Sequence, residues 1–413
     1  MSRVAIRIAA TALAAAFAAC GGDGGGDGSG VGGSVTRDIF DPSALTTYEI
    51  TMDPAEWSAM VADLPNRSNT WRRATVTWEG ETYDDVGIQP AGQSSRDPRI
   101  GSADKPSLWL KFNQFVPGRE FHRYERIKLD GMLDDPAVVR ERLAYGIYEA
   151  RGVPVPRAAH CRVLVNGHYR GLYLVEERVN KEFVTKRWGK TFNQLYRWTE
   201  AAADMDWRGA NPPYYVPNMW EPRIETMPDN AADVMHLADV LNNAPDTAES
   251  VFDVETFLNF MAVEVATGET DGYIGGPGPD GNIYTGNIFL YKMPADGRYT
   301  FVVWDRDQAF WDAHTDSITQ NFERRILTNN LIVRNPARMA RYREILREIM
   351  NGPAHPDVLG PQLEAVIAQI KDAAYADPYR KLSPTPQELE WEWDDVRRRI
   401  PAKHAAVMGQ LGP

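Results

Sequence analysis

The sequence predicts an α+β fold in two lobes, a β-rich one followed by a mainly helical one. Three observations carry this reading. Apolar residues alternate with a period of two between Arg73 and Val175, helical periodicity takes over after Asn230, and one apolar hairpin, Ile288 to Trp304, sits inside the helical half and ends in carboxylates. Strands around a single helix, then a helix-rich half, imply two packed bodies with a cleft between them. The chain has 413 residues, enough for such an arrangement. With 43% hydrophobic and 25% charged residues it has the profile of a soluble globular protein. Acidic residues outnumber basic ones by 57 to 45, a formal charge of −12, so there is no overall basic field to attract nucleic acid.

Residues 1–19 carry Arg3 and Arg7 and then an alanine-rich apolar run, too short for a retained membrane span, and read as a secretory signal. Phe17-Ala18-Ala19-Cys20-Gly21 resembles a bacterial lipobox, which implies cleavage before Cys20, lipidation of its thiol and anchoring in the cell envelope, at the outer membrane or cell surface. Contact with the membrane would run through this lipid alone. Residues 20–35, rich in Gly, Asp and Ser, have nothing to bury and fit a flexible tether. The second cysteine, Cys161, reads as a small core residue.

Residues 36–72 form a preamble, with strand-like alternation over Thr46–Met52 and a short helix from Pro54 capped by Asp53. The first lobe, 73–182, opens with three strands, Ala74–Trp78, Thr82–Ile88 and Ser107–Phe112, separated by Gly80 and by a polar loop from Ala91 to Asp104. A short strand at Ile127–Leu129 precedes a helix within Pro136–Arg151, apolar at Val139, Leu143, Ile147 and Tyr148 and closed by Gly152. Asn166-Gly167 between alternating runs predicts a tight hairpin, since these residues supply positive φ. In the second lobe, 183–413, periodicity predicts helices over Asn230–Asn243, Val254–Thr267, Arg338–Met350, Leu359–Ala373 and Pro386–Leu411. The tryptophans between Trp188 and Trp220 read as packing aromatics, and the seven histidines are scattered without metal-ligand spacing.

The sharpest chemical feature is Trp304-Asp305-Arg306-Asp307, where an apolar strand ends in carboxylates at i and i+2. In extended geometry both would face the same way and could approach one divalent cation. Asp271 lies upstream after a helix, with Asn282 and Asn287 in the glycine-rich loop beyond it. Two carboxylate positions and an amide, returned to one place by a hairpin, are the means of holding Mg²⁺ on nucleotide phosphates and positioning a hydroxyl nucleophile.

An ordered series of segments resembles the CotH family, which is named for a spore-coat protein and contains secreted, atypical protein kinases. The series comprises Asp134–Gly152 with Pro154-Val155-Pro156-Arg157, the Val163–Glu177 hairpin, Asn193–Arg197 and Trp304–Asp307, and the resemblance spans roughly Val86 to Asp312. It implies a divergent, two-lobed protein-kinase-like fold that binds ATP and magnesium and phosphorylates an unidentified acceptor protein outside the cytosol. By position it implies Asp271 as the acidic residue of the catalytic loop that orients or deprotonates the acceptor, Asn287 and Asp305 as metal ligands with Asp307 as the second carboxylate, and Gly92-Gln93-Ser94-Ser95 as the loop whose amides approach phosphate. Lys105 or Lys111 would reach the phosphates, Lys105 matching the pattern more closely; Glu177 would lie near the base, and Arg197 stands where lysine is common. Gln89 and Ala91 replace the arginines usual around the small-residue loop. The leading reading is an exported, lipid-anchored kinase. The alternatives are a surface-binding lipoprotein that keeps the fold without turnover, and a metal-dependent hydrolase.

Overall fold

Seven strands close into a barrel, each turning apolar residues inward and polar ones outward, and closure leaves no strand edge to pair elsewhere. The computed structural model describes residues 38–92, 96, 104–189, 194–199, 205–224, 231–275, 286–311 and 317–413. The barrel strands are β1 (Thr46–Thr51), β2 (Arg72–Trp78), β3 (Glu81–Pro90), β4 (Leu108–Lys111), β5 (Arg126–Asp130), β6 (Ala158–Val165) and β7 (His168–Glu177), in the order β1-β2-β3-β4-β5-β7-β6. β1 pairs antiparallel with β2 and parallel with β6, placing Tyr48 opposite Val163. The segment expected as a preamble therefore supplies the closing strand, followed by α1 (Pro54–Ala62), whose first turn is capped by the Asp53 carboxylate. In β2, Ala74, Val76 and Trp78 are buried while Arg73, Thr75 and Thr77 turn outward. Inside, Phe112 and Phe121 stack at 4.6 Å and Trp78 meets Phe121 edge-on at 5.4 Å. Cys161 is buried in this core, as expected. Asn166 (φ 51°) and Gly167 (φ 77°) make the tight β6–β7 turn.

A second, larger core forms around α5 (Val254–Thr267), in which only Glu255 and Thr256 escape burial. Asp253 caps its start, and Gly268 at φ 63° ends it with the left-handed residue that glycine adopts freely. Packed on or near it are α2 (Arg140–Ala150), α7 (Pro336–Met350), α8 (Pro356–Tyr375) and α9 (Pro386–Leu411), with α4 (Ala231–Asn243) and the single turn α6 (Ile326–Thr328) completing the helical part. A capping box between Thr385 and Glu388 opens α9, and Leu389, Trp393, Val396 and Ile400 form its buried stripe. The expected hairpin is β10 (Ile288–Lys292) with β11 (Tyr299–Val303). It belongs to a four-stranded sheet, β11-β10-β8-β9, completed by β8 (Leu195–Trp198) and β9 (Trp220–Pro222). These last two strands and α3 (Lys181–Trp188) are additions to the sequence reading. The architecture is α+β, the expected class. Among the described residues no helix is long and apolar enough to cross a membrane.

Candidate functional site

A cavity of about 740 Å³ opens between the outer face of β3, β4 and β5 and the loops at the ends of β10 and β11. Its acidic end is built by chain reversals. β11 stops at Val303, and Asp305 takes φ 58°, a left-handed conformation uncommon for a residue with a side chain. The extended Asp-x-Asp geometry expected from sequence is thereby corrected: the chain turns at Asp305, yet both Asp305 and Asp307 line the cavity. Arg306 between them points the other way and is fully buried, 3.4 Å from Glu264 Oε1 and donating to the Asn287 carbonyl at 3.2 Å. Glu264 in turn accepts the Tyr273 and Ile274 amides at 2.7 and 2.9 Å, fixing the loop after α5. On that loop Asp271 receives the Asn287 Nδ2 amide at 2.7 Å on Oδ2, and its own N–H donates to Glu269 Oε1 at 2.8 Å. Asp271, Asn287, Asp305 and Asp307 are thus brought to one cavity wall, as the sequence implied.

Burial, with carboxylate crowding behind it, raises the acids of this wall. Burial lifts the Asp305 carboxyl above its usual range, against the pull of Lys128. Burial and the charges of Asp305 and Glu141 push Asp307 far up. Asp271 is raised by desolvation and by Asp305, with Arg306 and the Asn287 hydrogen bond opposing. Behind it, burial pushes Glu269 up to about 8.

The lysine of the cavity is Lys128, which the sequence reading missed. Its ammonium lies 2.5 Å from Asp130 Oδ2 and 2.9 Å from Glu176 Oε2. Burial disfavours its charge, but Asp130, Glu176 and Asp305 together hold it well above the usual lysine range. Glu141, on α2, lies behind this pair; it accepts from the Tyr145 hydroxyl and from the Arg306 amide, the latter at 3.2 Å. Burial and the charge of Asp305 raise Glu141, and burial and the charge of Glu141 raise Glu176. The available signal was the alternation in β5: Ile127 and Leu129 face the barrel core, which turns Lys128 and Asp130 outward to the cavity.

Lys105 is placed elsewhere. It is buried, its Nζ 2.6 Å from Asp377 Oδ2, and it is absent from the cavity wall among the described residues. Asp377 also accepts the Leu172 amide at 3.0 Å, and a Cβ at Gly171 would fall 2.3 Å from its carboxylate, so this pair clamps β7 against the turn after α8. The role implied for Lys105 at the phosphates is corrected to a tie between barrel and helices.

Glu177 likewise faces away from the cavity. In the β5–β7 register Glu176 lies opposite Lys128 and Glu177 opposite Ile127, so one residue's offset puts Glu177 on the other face. There it meets Arg187 at 2.8 Å and accepts from Tyr124 at 3.2 Å. Lys111 stands 5.8 Å from the Trp71 ring centroid on β4 and is not a lining residue. Arg197 does line the cavity, 5.2 Å from the Trp304 ring centroid, and Gly92 lines it at φ 76°. Cys20, Ser94, Ser95 and Asn282 lie outside the described residues. Among the described residues no three His, Cys, Asp or Glu side chains form a ready metal cage.

The chain is 22% identical over 326 residues to Inner spore coat protein H of Bacillus subtilis (strain 168), covering 72% of this chain and 80% of that protein. It is 22% identical over 350 residues to Spore coat protein homolog 1 of Rhizopus delemar and 25% identical over 336 residues to Invasin CotH3 of the same fungus. It spans only about half of those two fungal proteins, 55% and 53%. A family model described as CotH kinase protein matches residues 88–400, which include every strand and loop of the acidic wall together with Lys128, so the chain belongs to the CotH family.

Proposed function

We propose that this protein is an exported, magnesium-dependent kinase that transfers the γ-phosphoryl group of ATP to a protein hydroxyl. The observation that carries the reading is the convergence, on one cavity, of Lys128, the hydrogen-bonded Asp271–Asn287 pair and the two carboxylates Asp305 and Asp307. A lysine on a barrel strand, a glutamate on the following helix and an aspartate at a strand end match the division of labour in protein kinases. The separate barrel and helical cores on the two sides of the cavity support a two-lobed, kinase-like arrangement.

Asp305, Asp307 and the Asn287 amide would hold Mg²⁺. These are hard oxygen donors, and two carboxylates suffice because magnesium usually completes its shell with water and substrate phosphates. Bound there, the metal supplies neutralising charge for the β- and γ-phosphates. Lys128 and Arg197 would steady the phosphates. Asp271 would orient the acceptor hydroxyl and take its proton as the oxygen bonds to phosphorus and the bond to ADP breaks. Its raised carboxyl makes it a better proton acceptor than an ordinary aspartate. Asn287 keeps it pointed.

Export is supported by the N-terminal apolar run and by relatives named for the spore coat, and lipid anchoring by the lipobox-like segment around Cys20 alone. A second reading, a surface-binding lipoprotein without turnover, is favoured by Gln89 and Ala91 standing where arginines are usual. Incubation with γ-phosphate-labelled ATP and Mg²⁺ separates the readings. Label on the protein itself or on a generic acceptor, abolished by Asp271→Asn, supports the kinase. Nucleotide binding without transfer supports the second reading, and release of phosphate from simple phosphoesters supports a hydrolase.

A further inference from the structure

One stretch of the cavity wall carries positive charge that no carboxylate meets. Arg96 is only 8% exposed and lines the cavity. Its guanidinium donates to neutral oxygens: the Ala91 carbonyl at 3.4 Å, the Ser68 carbonyl at 3.3 Å, Asn69 Oδ1 at 3.1 Å and the Pro90 carbonyl. Four of the five N–H groups of the side chain are thereby used, and one on Nη2 is left. Among the described residues Arg96 forms no ion pair. The buried cations Lys105, Lys128 and Arg306, by contrast, each face a carboxylate. Burial disfavours the charge of Arg96, and the charge of Arg67, which lines the same cavity, disfavours it further. A buried charge without an opposite partner is costly, so an anion arriving through the cavity gains what the protein itself leaves unmet.

Arg67, Ser68 and Asn69 belong to the loop ahead of β2 and precede residues 88–400, the part of the chain that the family model matches. Arg67 closes the turn Leu64–Asn66 in a left-handed conformation at φ 54°. Arg96 is held against carbonyls at the end of β3, and β3, β4 and β5 pair in the register Gln89, Trp109, Lys128. Two strand spacings, about 10 Å, therefore separate it from the strand of Lys128. Phosphates held between Lys128 and a metal at Asp305 and Asp307 would leave this second cationic pair unmet. We propose that Arg67 and Arg96 form a subsite for a carboxylate side chain of the acceptor protein, with Asn69 positioning Arg96, and that hydroxyls in segments rich in Asp or Glu are the preferred acceptors. The inference rests on the kinase reading and names its acceptor class. A guanidinium matches a carboxylate in geometry and charge, and such a bond is shorter and stronger than a neutral one. A basic segment would meet like charge at the same place.

The test is transfer from γ-phosphate-labelled ATP with Mg²⁺ to matched serine peptides whose flanking residues are Glu, Ala or Lys, using the full-length protein and its Arg67→Asn, Asn69→Asp and Arg96→Gln variants. The expected order of kcat/KM is Glu above Ala above Lys, with about tenfold between the extremes, carried by KM and shrinking as salt is raised. Arg67→Asn keeps the left-handed turn, which asparagine tolerates, and should raise KM for the Glu peptide about fivefold with ATP affinity retained. Asn69→Asp gives Arg96 a carboxylate of its own and should cut the preference for Glu over Lys to about twofold. Arg96→Gln should do the same; should it fail to fold, the variants at the exposed residues Arg67 and Asn69 carry the comparison. Equal use of all the peptides, or a preference for Lys, overturns the subsite while leaving the kinase reading intact. So does a loss of ATP affinity in Arg67→Asn as large as its loss with the Glu peptide, which would place the pair at the donor's phosphates. No transfer of label to any peptide or to the protein itself overturns both.

Discussion

The two walls of the cavity obey different structural rules. The acidic wall is assembled from short local motifs: a helix closed by Gly268, a loop pinned through Glu264 and Arg306, and a strand that turns at Asp305. Its members are near in sequence to an apolar element that announces them. The barrel wall is assembled by register across four strands, so Lys128, Trp109 and Gln89 meet although no motif links them. Burial and mutual repulsion raise the carboxylates of the first wall, whereas in the second the neighbouring carboxylates hold a lysine well above its usual range. On the kinase reading proposed above, the acidic wall would gain a cation and the barrel wall an anion, both of which a magnesium nucleotide offers.

Mutations at each wall should break this comparison in distinct ways. The largest effect belongs to Asp271→Asn, for which turnover should fall about 10²–10⁴-fold with ATP affinity nearly unchanged, because proton acceptance and acceptor orientation act in the transition state. Steady-state kinetics beside nucleotide titration reads this, and a parallel loss of ATP affinity would place Asp271 in binding instead. Lys128→Met should lower turnover of the folded fraction about 10²-fold, as expected for removing one preorganised charge from developing phosphate charge, and should also cost stability because Asp130 and Glu176 are left without their cation. Lys105→Met should cost stability alone. It leaves Asp377 buried beside a methionine and should cost about 3–5 kcal/mol of stability in urea melts, the usual penalty for breaking a buried ion pair, with kcat of the folded fraction retained.

Smaller effects concern the acidic wall without metal. Asp305→Asn should abolish Mg²⁺-dependent strengthening of ATP binding while thermal stability holds or rises slightly, since one of several repelling carboxylates is neutralised. Glu269 gives the pH signature. Its folded-state pKa is raised to about 8, so the folded protein binds this proton more tightly than the unfolded chain. Its contribution to stability is therefore greatest near pH 4 and is lost as pH rises toward 8. Glu269→Gln should match the unmutated protein near pH 5 and exceed it near pH 9, by a margin on the order of a few kcal/mol. Melting curves at the two pH values that run in parallel would show Glu269 to be ionised and compensated.

These contrasts also explain what was legible in the sequence. Val254–Thr267 and Pro386–Leu411 coincide with their helices because caps and apolar stripes bound them. The Asn166-Gly167 hairpin follows from backbone conformational preference alone. Barrel closure depends on the parallel pairing of β1 with β6, between residues more than a hundred positions apart, which leaves no local mark. β8 and β9, four and three residues long, are too short to display a period. The site divides the same way: Asp271, Asn287, Asp305 and Asp307 were readable from turns and strand ends, while the choice of Lys128 over Lys105, and of Glu176 over Glu177, rests on which face of a strand each occupies. Lys105 matches the family pattern more closely than Lys111, yet its charge is paired with Asp377.

The most direct test of the account is a crystal structure of the protein with an ATP analogue and Mn²⁺ in place of Mg²⁺, located by its anomalous signal. The expected result is a manganese peak within coordination distance, about 2 Å, of carboxylate oxygens of Asp305 and Asp307, with the triphosphate between that metal and Lys128. A nucleotide lying against Lys105, or a metal bound away from Asp305 and Asp307, would contradict it.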